Sequence, residues 1–473
     1  MASPTQNSVP ATTINTSSLS NDVQALLAGT KWGGGLGTGV ALTYSFPGAN
    51  GSTTWWASPY SSTNEPNTGD MVYLNSAEQS ACQAALSVWS ASANITFNQL
   101  ADTQTTCGEI RLAISDLGNT GSDYAHAYYP GSTPVAGDVW FGYQWNTDAA
   151  GGAAPGSYQF LTILHELGHA LGLKHPFEGP VTLDAAHDNY FYTIMSYDVK
   201  ENTSVSSVSA DFYPTTPQYL DLLAMDTLYG QSPTANPGNT KYVFYGTQHY
   251  WQTINDVSGN DTIIYKSSTG GRIDLSNASF SQLGVPIHFS DGTQSSDTVA
   301  LGPNTSIENA TGGSGNDVII GSDGNNVLKG GGGNDSLDGG LGADKLNGGS
   351  GHDTFVYGNA NESTGTKFDT LTGFNTGNDL FDLWFQVQKI DHALNSGTLS
   401  KATFDNNLTH DLGAGKLAAY SAVLFTPSNG NEAGKIFLVV DPTGNAGYHS
   451  GSDLVILLSN AVDLTQLSTH DFI

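Results

Sequence analysis

The sequence predicts a multidomain protein, with an α+β domain over 21–230 followed by an all-β domain over 231–473. Three observations carry this reading. Strand-like and helix-like patterns are mixed up to Gly230, helical periodicity stops there, and from residue 312 a nine-residue unit repeats without interruption. A chain of 473 residues, 38% of them apolar, is long enough for two or three domains with substantial cores.

In chain order, residues 1–20 are rich in Ser, Thr, Asn and Pro and read as a disordered or removable terminus. The stretch 40–46 (VALTYSF) alternates like a strand, and 75–89 (NSAEQSACQAALSVW) reads as an amphipathic helix capped by Asn75 or Ser76. Strands are expected at 109–115, 124–128 and 138–142. A strong helix is expected over Tyr158–Leu171, capped by Ser157 and ended by Gly172, and a last one over 218–229. The polar, Pro/Gly-containing stretch 231–240 (QSPTANPGNT) is the natural linker.

Charge narrows the partners. With 14 basic residues against 43 acidic ones the net charge is −29, which argues against nucleic acid and anionic membranes. No run reaches transmembrane length, so no membrane insertion is expected. The first 29 residues lack a basic start and an apolar core, so no secretory signal peptide is expected. Cys82 and Cys107 are the two cysteines. A disulfide between them would close a loop of about 25 residues and stabilise by about 3 kcal/mol; two free buried thiols are the alternative.

Residues 165–176 read HELGHALGLKHP. On a helix His165 and His169 lie one turn apart and can face one ion, with Glu166 beside it but outside the ligand set. Gly172 permits a sharp turn that returns His175 as a third ligand. Three protein ligands leave one position open, as in catalytic zinc sites. The chemistry expected is peptide-bond hydrolysis by a water that the metal polarises and Glu166 deprotonates.

From 312 the units GGSGNDVII, GSDGNNVLK, GGGGNDSLD, GGLGADKLN and GGSGHDTFV follow the pattern of a calcium-binding parallel β-roll. Six residues make a glycine-permitted turn that presents oxygens to a hard ion, and three form a strand. The apolar residue of that strand (Ile319, Leu328, Leu337, Leu346, Phe355) fills the roll. The second unit has Ser322 in a glycine slot and Asn326 for aspartate, which predicts weaker binding there. DVSGNDTII (256–264) is an outlying copy.

The extended histidine motif, TIMSY (193–197) and the C-terminal repeats together resemble the serralysins, bacterial metalloproteases of the metzincin clan. The likeness covers nearly the whole chain, including SFPG (45–48), SANITFNQL (92–100), SIENATGGSGND (306–317) and the terminal Asp471-Phe472-Ile473. It implies a methionine turn at Met195 beneath the metal. It also implies that Tyr197 ligates zinc at rest and serves the oxyanion during turnover, and that an edge strand at 124–128 pairs with substrate. Calcium would be held by Gly313, Gly315 and Asp317; Ser322, Gly324 and Asn326; Gly331, Gly333 and Asp335; Gly340, Gly342 and Asp344; and Gly349, Gly351 and Asp353. Ser306 and Glu308 match further ligand positions, as do Asn236, Gly238 and Thr240 together with Asp256, Ser258, Gly259 and Asp261 of the outlying copy. The resemblance further implies a secreted, extracellular monomer, export by a type I ABC apparatus through a C-terminal signal, a short propeptide within 1–20, protein or peptide substrates and a small proteinaceous inhibitor. Two departures stand out: serralysins usually lack cysteines, and after Pro176 the family's Gly-Asp-Tyr-Asn is replaced by Phe-Glu-Gly-Pro (177–180). A calcium-binding adhesive protein with a dead protease domain is the rival reading, and intact Glu166, Met195 and Tyr197 argue against it.

Overall fold

The structure is a computed structural model that describes residues 5–6, 9–48, 72–103, 105–115, 124–149 and 152–473. The chain forms two compact units. The first is Met1–Pro237 with His249–Val257 and Pro286–Thr305; the second is Gly238–Gln248, Ser258–Val285 and Ser306–Ile473.

The first unit is built on a five-stranded sheet. Its strands are β1 (Val40–Ser45), β2 (Ile95–Gln99), β3 (Ile110–Ile114), β4 (Ala125–Ala127) and β5 (Val139–Phe141), in the order β2-β1-β3-β5-β4. All pairs are parallel except β4 with β5, so the antiparallel strand β4 forms one edge. β3 is buried at every position, as a central strand covered on both faces must be.

Three long helices accompany the sheet: α1 (Ser76–Ser92), α2 (Tyr158–Leu171) and α3 (Tyr219–Tyr229). Asn75 caps α1 by accepting from the Ala77 and Glu78 amides, while the Glu78 carboxylate accepts from the Asn75 amide at 2.7 Å. Trp89 of α1 is fully buried and its indole N–H donates to Leu164 O of α2 at 3.1 Å, which ties the two helices together. The short helices Asn21–Leu26 and Tyr143–Asp148 were not legible in the sequence, since neither carries a full amphipathic turn pattern.

Residues 1–4 and 7–8 of the terminal segment lie outside the described residues; Ala11–Thr13 of that segment pairs antiparallel with Thr30–Trp32. The disulfide expectation is corrected: Cys82 and Cys107 are separate, free, buried thiols. Cys82 sits in the apolar core on the inner face of α1. Cys107 has the charges of Arg111, Asp138, Asp102 and Glu109 around it.

The boundary between the units is not a single cut at 230. Trp251, Ile287 and Phe289 belong to the core of the first unit, and the Trp251 ring lies 4.6 Å from that of Phe191.

The second unit is a parallel roll. Its strands pair with the residue eighteen positions on, as in Ile319 with Leu337, Leu328 with Leu346 and Leu337 with Phe355, so two nine-residue units make one turn. Ile319, Leu328, Leu337, Leu346 and Phe355 are at most 1% exposed and form the expected inner ladder. Beyond it Ser421–Phe425, Ile436–Val440 and Leu454–Ser459 run antiparallel. One eight-residue helix, Phe404–Asp411, interrupts the otherwise all-β pattern and buries Phe404 and Leu408.

Candidate metal centre

The end of α2 sets the site. Ser157 accepts from the Phe160 amide at 3.1 Å and starts the helix. Gly172 stops it at φ 109°, and a Cβ there would stand 2.5 Å from Thr30 O, so the position needs glycine twice over. The Leu173 amide then donates to Gly168 O at 2.9 Å and the Lys174 amide to Leu26 O at 2.8 Å, which turns the chain back toward the helix.

That return brings His175 to His165 and His169. Its Nε2 lies 3.2 Å from His165 Nε2 and 3.0 Å from His169 Nε2. Each imidazole donates its other N–H to a fixed acceptor: His165 Nδ1 to Ile194 O at 2.8 Å, His169 Nδ1 to Leu173 O at 2.8 Å, and His175 Nδ1 to Glu178 Oε1 at 2.9 Å. All three lone pairs therefore point at one spot, with ring orientation set from behind. Burial pushes His165 down to about 3 and His169 well below the usual range, so both rings are neutral, as ligation requires. The three histidines can hold one metal ion.

Glu166 is 5% exposed, and its Oε2 has no hydrogen-bond partner among the described residues. Burial pushes its carboxyl up to about 8. Met195 is fully buried beneath α2: a Cβ on Gly168 would stand 2.6 Å from its sulfur. Tyr197 is exposed, its ring 4.6 Å from that of His175 and 5.1 Å from that of Phe177. Phe177 in turn stacks on His175 at 5.1 Å.

A cavity of about 460 Å³ opens beside these groups, lined by Tyr124, Ala125 and His126 of the edge, by Tyr158, Leu161, Thr162, His165 and Glu166 of α2, and by Tyr190, Tyr197 and 204–206. A larger one, about 670 Å³, lies in the second unit against Gly, Ser, Thr and Lys266 and holds no catalytic group.

Sequence reasoning missed three residues here. Asp221 of α3 accepts from Thr193 Oγ1 at 2.5 Å and from the Ile194 amide at 2.8 Å, holding the turn whose Ile194 carbonyl orients His165. Glu178 and Phe177, noted only as departures, clamp the third histidine. Asp221 also caps α3 locally by accepting from the Gln218 amide at 2.8 Å, but nothing local announces its hold on the turn at Thr193 and Ile194, which lie 28 and 27 positions away.

In the second unit the repeat aspartates form a ladder. The Asp317 amide donates to Asp335 Oδ1, Asp335 to Asp353 Oδ1, Asn326 to Asp344 Oδ1 and Asp344 to Asp369 Oδ1, at 2.7–3.0 Å. One carboxylate oxygen of each is thereby spent, yet the other oxygens of Asp335, Asp344 and Asp369 are buried without a partner. Orphaned buried oxygens on a glycine-rich turn fit a hard divalent cation. Gly331, Gly333, Gly340, Gly342, Gly349 and Gly351 all adopt positive φ, whereas Gly313, Gly315, Ser322 and Gly324 do not share that conformation. Asn326 keeps the aspartate's place: its Oδ1 accepts from the Ser322 amide at 2.7 Å, as Asp317 Oδ2 does from Gly313. The outlying copy gathers as well. The Thr240 amide donates to Asp261 Oδ1 at 2.6 Å, Gly238 to Ser258 O at 2.9 Å, and Asp261 to Glu308 Oε2 at 2.8 Å. Ser306 Oγ donates to Glu308 Oε1 at 2.9 Å, and a Cβ on Gly259 would meet Gly238 O at 2.4 Å. Asn236 and Asp256 belong to the first unit; Asn236 Nδ2 donates to Asn255 O at 3.0 Å and the Asp256 amide to Thr305 Oγ1 at 3.1 Å.

Among the described residues no helix is long and apolar enough to cross a membrane.

The family model described as Matrixin matches residues 60–183, and that described as Peptidase M10 serralysin C terminal matches 220–413. Serralysin B of Dickeya chrysanthemi is 38% identical over 75% of this chain and 74% of its own length. Serralysin C of the same organism is 40% identical over 68% and 69%, and metalloprotease AprA of Pseudomonas entomophila 35% over 67% and 67%. With the histidine centre on α2 of the first unit and a parallel roll as the second, the chain belongs to the serralysin family of metzincin metalloendopeptidases.

Proposed function

We propose that the chain is a secreted zinc endopeptidase whose metal is held by His165, His169 and His175 and whose proton carrier is Glu166. The observation that carries this is the convergence of three imidazole Nε2 atoms, each with its other nitrogen engaged from behind. Zinc bound there supplies Lewis-acid polarisation of a water and of the scissile carbonyl. Glu166 takes the proton from the attacking water at its unpartnered Oε2 and returns it to the leaving nitrogen. The Tyr197 hydroxyl, on an exposed side chain beside His175, would ligate zinc at rest and donate to the oxyanion during turnover. Among the described residues strand β4 is an edge of its sheet, so an extended peptide can add there and lie across the cavity. Met195 supports the metal site from below.

Calcium is assigned to the repeat turns and the outlying copy at the positions named above, where it supplies the folding free energy of the roll. Extracellular calcium, export by a type I apparatus and control by a small proteinaceous inhibitor complete the reading. Digesting a protein mixture and sequencing the new termini tests it: cleavage should appear with wild type, vanish with chelator and vanish with Glu166→Ala. Cleavage that survives both treatments would overturn the assignment.

A further inference from the structure

The antiparallel strands Ile436–Val440 and Leu454–Ser459 end on the pair Val440–Leu454. The next residues outward, Asp441 and Asp453, therefore stand opposite each other, a like-charge pair that destabilises a ladder unless something neutralises it. Both are 0% exposed. Among the described residues neither forms an ion pair with Lys, Arg or His.

Each carboxylate is anchored through one oxygen only. Asp441 Oδ1 accepts from the Thr443 amide and hydroxyl at 2.7 Å, and Asp453 Oδ2 accepts from the His449 amide at 2.8 Å. The remaining oxygens, Asp441 Oδ2 and Asp453 Oδ1, are buried without any hydrogen-bond partner. One carboxylate oxygen of each aspartate and a ring nitrogen of His449, which is exposed, all lie within 4.8 Å of one another. Two buried carboxylates this close, each with an unpartnered oxygen, cost several kcal/mol as anions unless a cation sits between them.

We propose that Asp441 and Asp453 form a divalent-cation site with His449 at its open side, outside the nine-residue repeats, that closes the loop 442–452 of this hairpin. Two carboxylates suit calcium; adding imidazole suits manganese or zinc. The shared chemistry is a divalent cation on the carboxylate pair.

The test uses the full chain stripped by chelator, with Ca²⁺, Mn²⁺ or Zn²⁺ added singly. Hydrogen exchange is read over peptides spanning 441–453, and bound metal is counted after dialysis. At a free ion concentration about ten times Kd, wild type should gain roughly tenfold protection there with at least one ion. It should also retain one more equivalent of that ion than D441N/D453N. The double variant is near-isosteric and free of the repulsion, so it should be protected without metal and gain nothing locally. His449→Ala sorts the ion: a response lost for Mn²⁺ and Zn²⁺ identifies a nitrogen-ligated ion, and one kept for Ca²⁺ an oxygen-ligated one, both on the carboxylate pair. If the double variant does not fold, Asp441→Asn alone is compared in the same way. Equal protection and equal metal content in wild type and variant would overturn the proposal.

Discussion

Glu166 and Tyr197 sit in opposite surroundings, and that difference sets the size of each expected loss. Glu166 is buried with an oxygen that nothing else uses, so Glu166→Ala should keep the metal yet lower turnover by roughly 10²–10⁴-fold. Tyr197 is exposed beside His175 and Phe177, so Tyr197→Phe should cost less and fall on kcat rather than KM. Steady-state kinetics of the two variants checks both; a KM effect alone would remove the oxyanion role. Asp221 carries a prediction in pH. Burial raises its carboxyl from 3.8 to about 6, against the lowering hydrogen bonds from Thr193, Ile194 and Gln218. A folded-state value above the unfolded one means that folding takes up a proton in this window. The buried carboxylate thus costs stability above pH 6, and the cost is relieved as pH falls through 6 toward 4. Its size is about 3 kcal/mol. Wild type minus Asp221→Asn, compared by denaturant unfolding, should be more favourable at pH 5 than at pH 7. A difference independent of pH would mean that Asp221 carries no buried charge.

At the scale of elements, what the sequence made legible and what it hid have separate physical causes. Helix α2 matches its expected bounds because both ends are locally encoded, by Ser157 and by Gly172. Strand β4 was legible as an edge only through the family likeness, since a three-residue strand has too short a period to read. The inner ladder from Ile319 to Phe355 was legible because its period is strict. The ladder does not stop at Asp353, however: Asp344 continues to Asp369 across 25 positions and Asp353 to Asp379 across 26, instead of 18. An insertion of seven residues between Asp353 and Asp369, and of one more before Asp379, broke the period that would have revealed them; GNDLF (377–381) was the surviving trace. Asp344 is consequently an internal rung, not a last one. Its Oδ2 is orphaned and its Oδ1 holds the Asn326 amide. Asp344→Ala should raise the calcium midpoint of folding several-fold and strand a buried amide worth about 1–3 kcal/mol. Circular dichroism across a calcium titration reads the midpoint, and an unchanged midpoint would place the ions elsewhere.

For the whole molecule, the interleaving of the two units matters more than their order. A cut in the 231–240 linker looks harmless in sequence, yet it removes His249–Val257 and Pro286–Thr305 from the first unit. Trp251 is 1% exposed, stacks near Phe191, and its carbonyl accepts from the Thr215 amide at 2.9 Å. The strand Gln252–Ile254 pairs parallel with Val299–Leu301, and the Thr253 amide donates to Thr216 Oγ1 at 2.8 Å. Losing one buried aromatic of this kind costs about 3–5 kcal/mol, a large part of the roughly 5–15 kcal/mol that holds a typical domain together. The chain truncated after Pro237 should therefore unfold at least about 10 °C lower than the same unit within the full chain, by calorimetry. Trp251→Ala in the full chain separates packing from truncation as such. If packing is the cause, that single change should reproduce most of the lowering in the first unit's transition while the metal centre on α2 stays complete. A truncated chain that melts where the full chain does would show that 249–257 and 286–305 contribute nothing to the fold that carries the site.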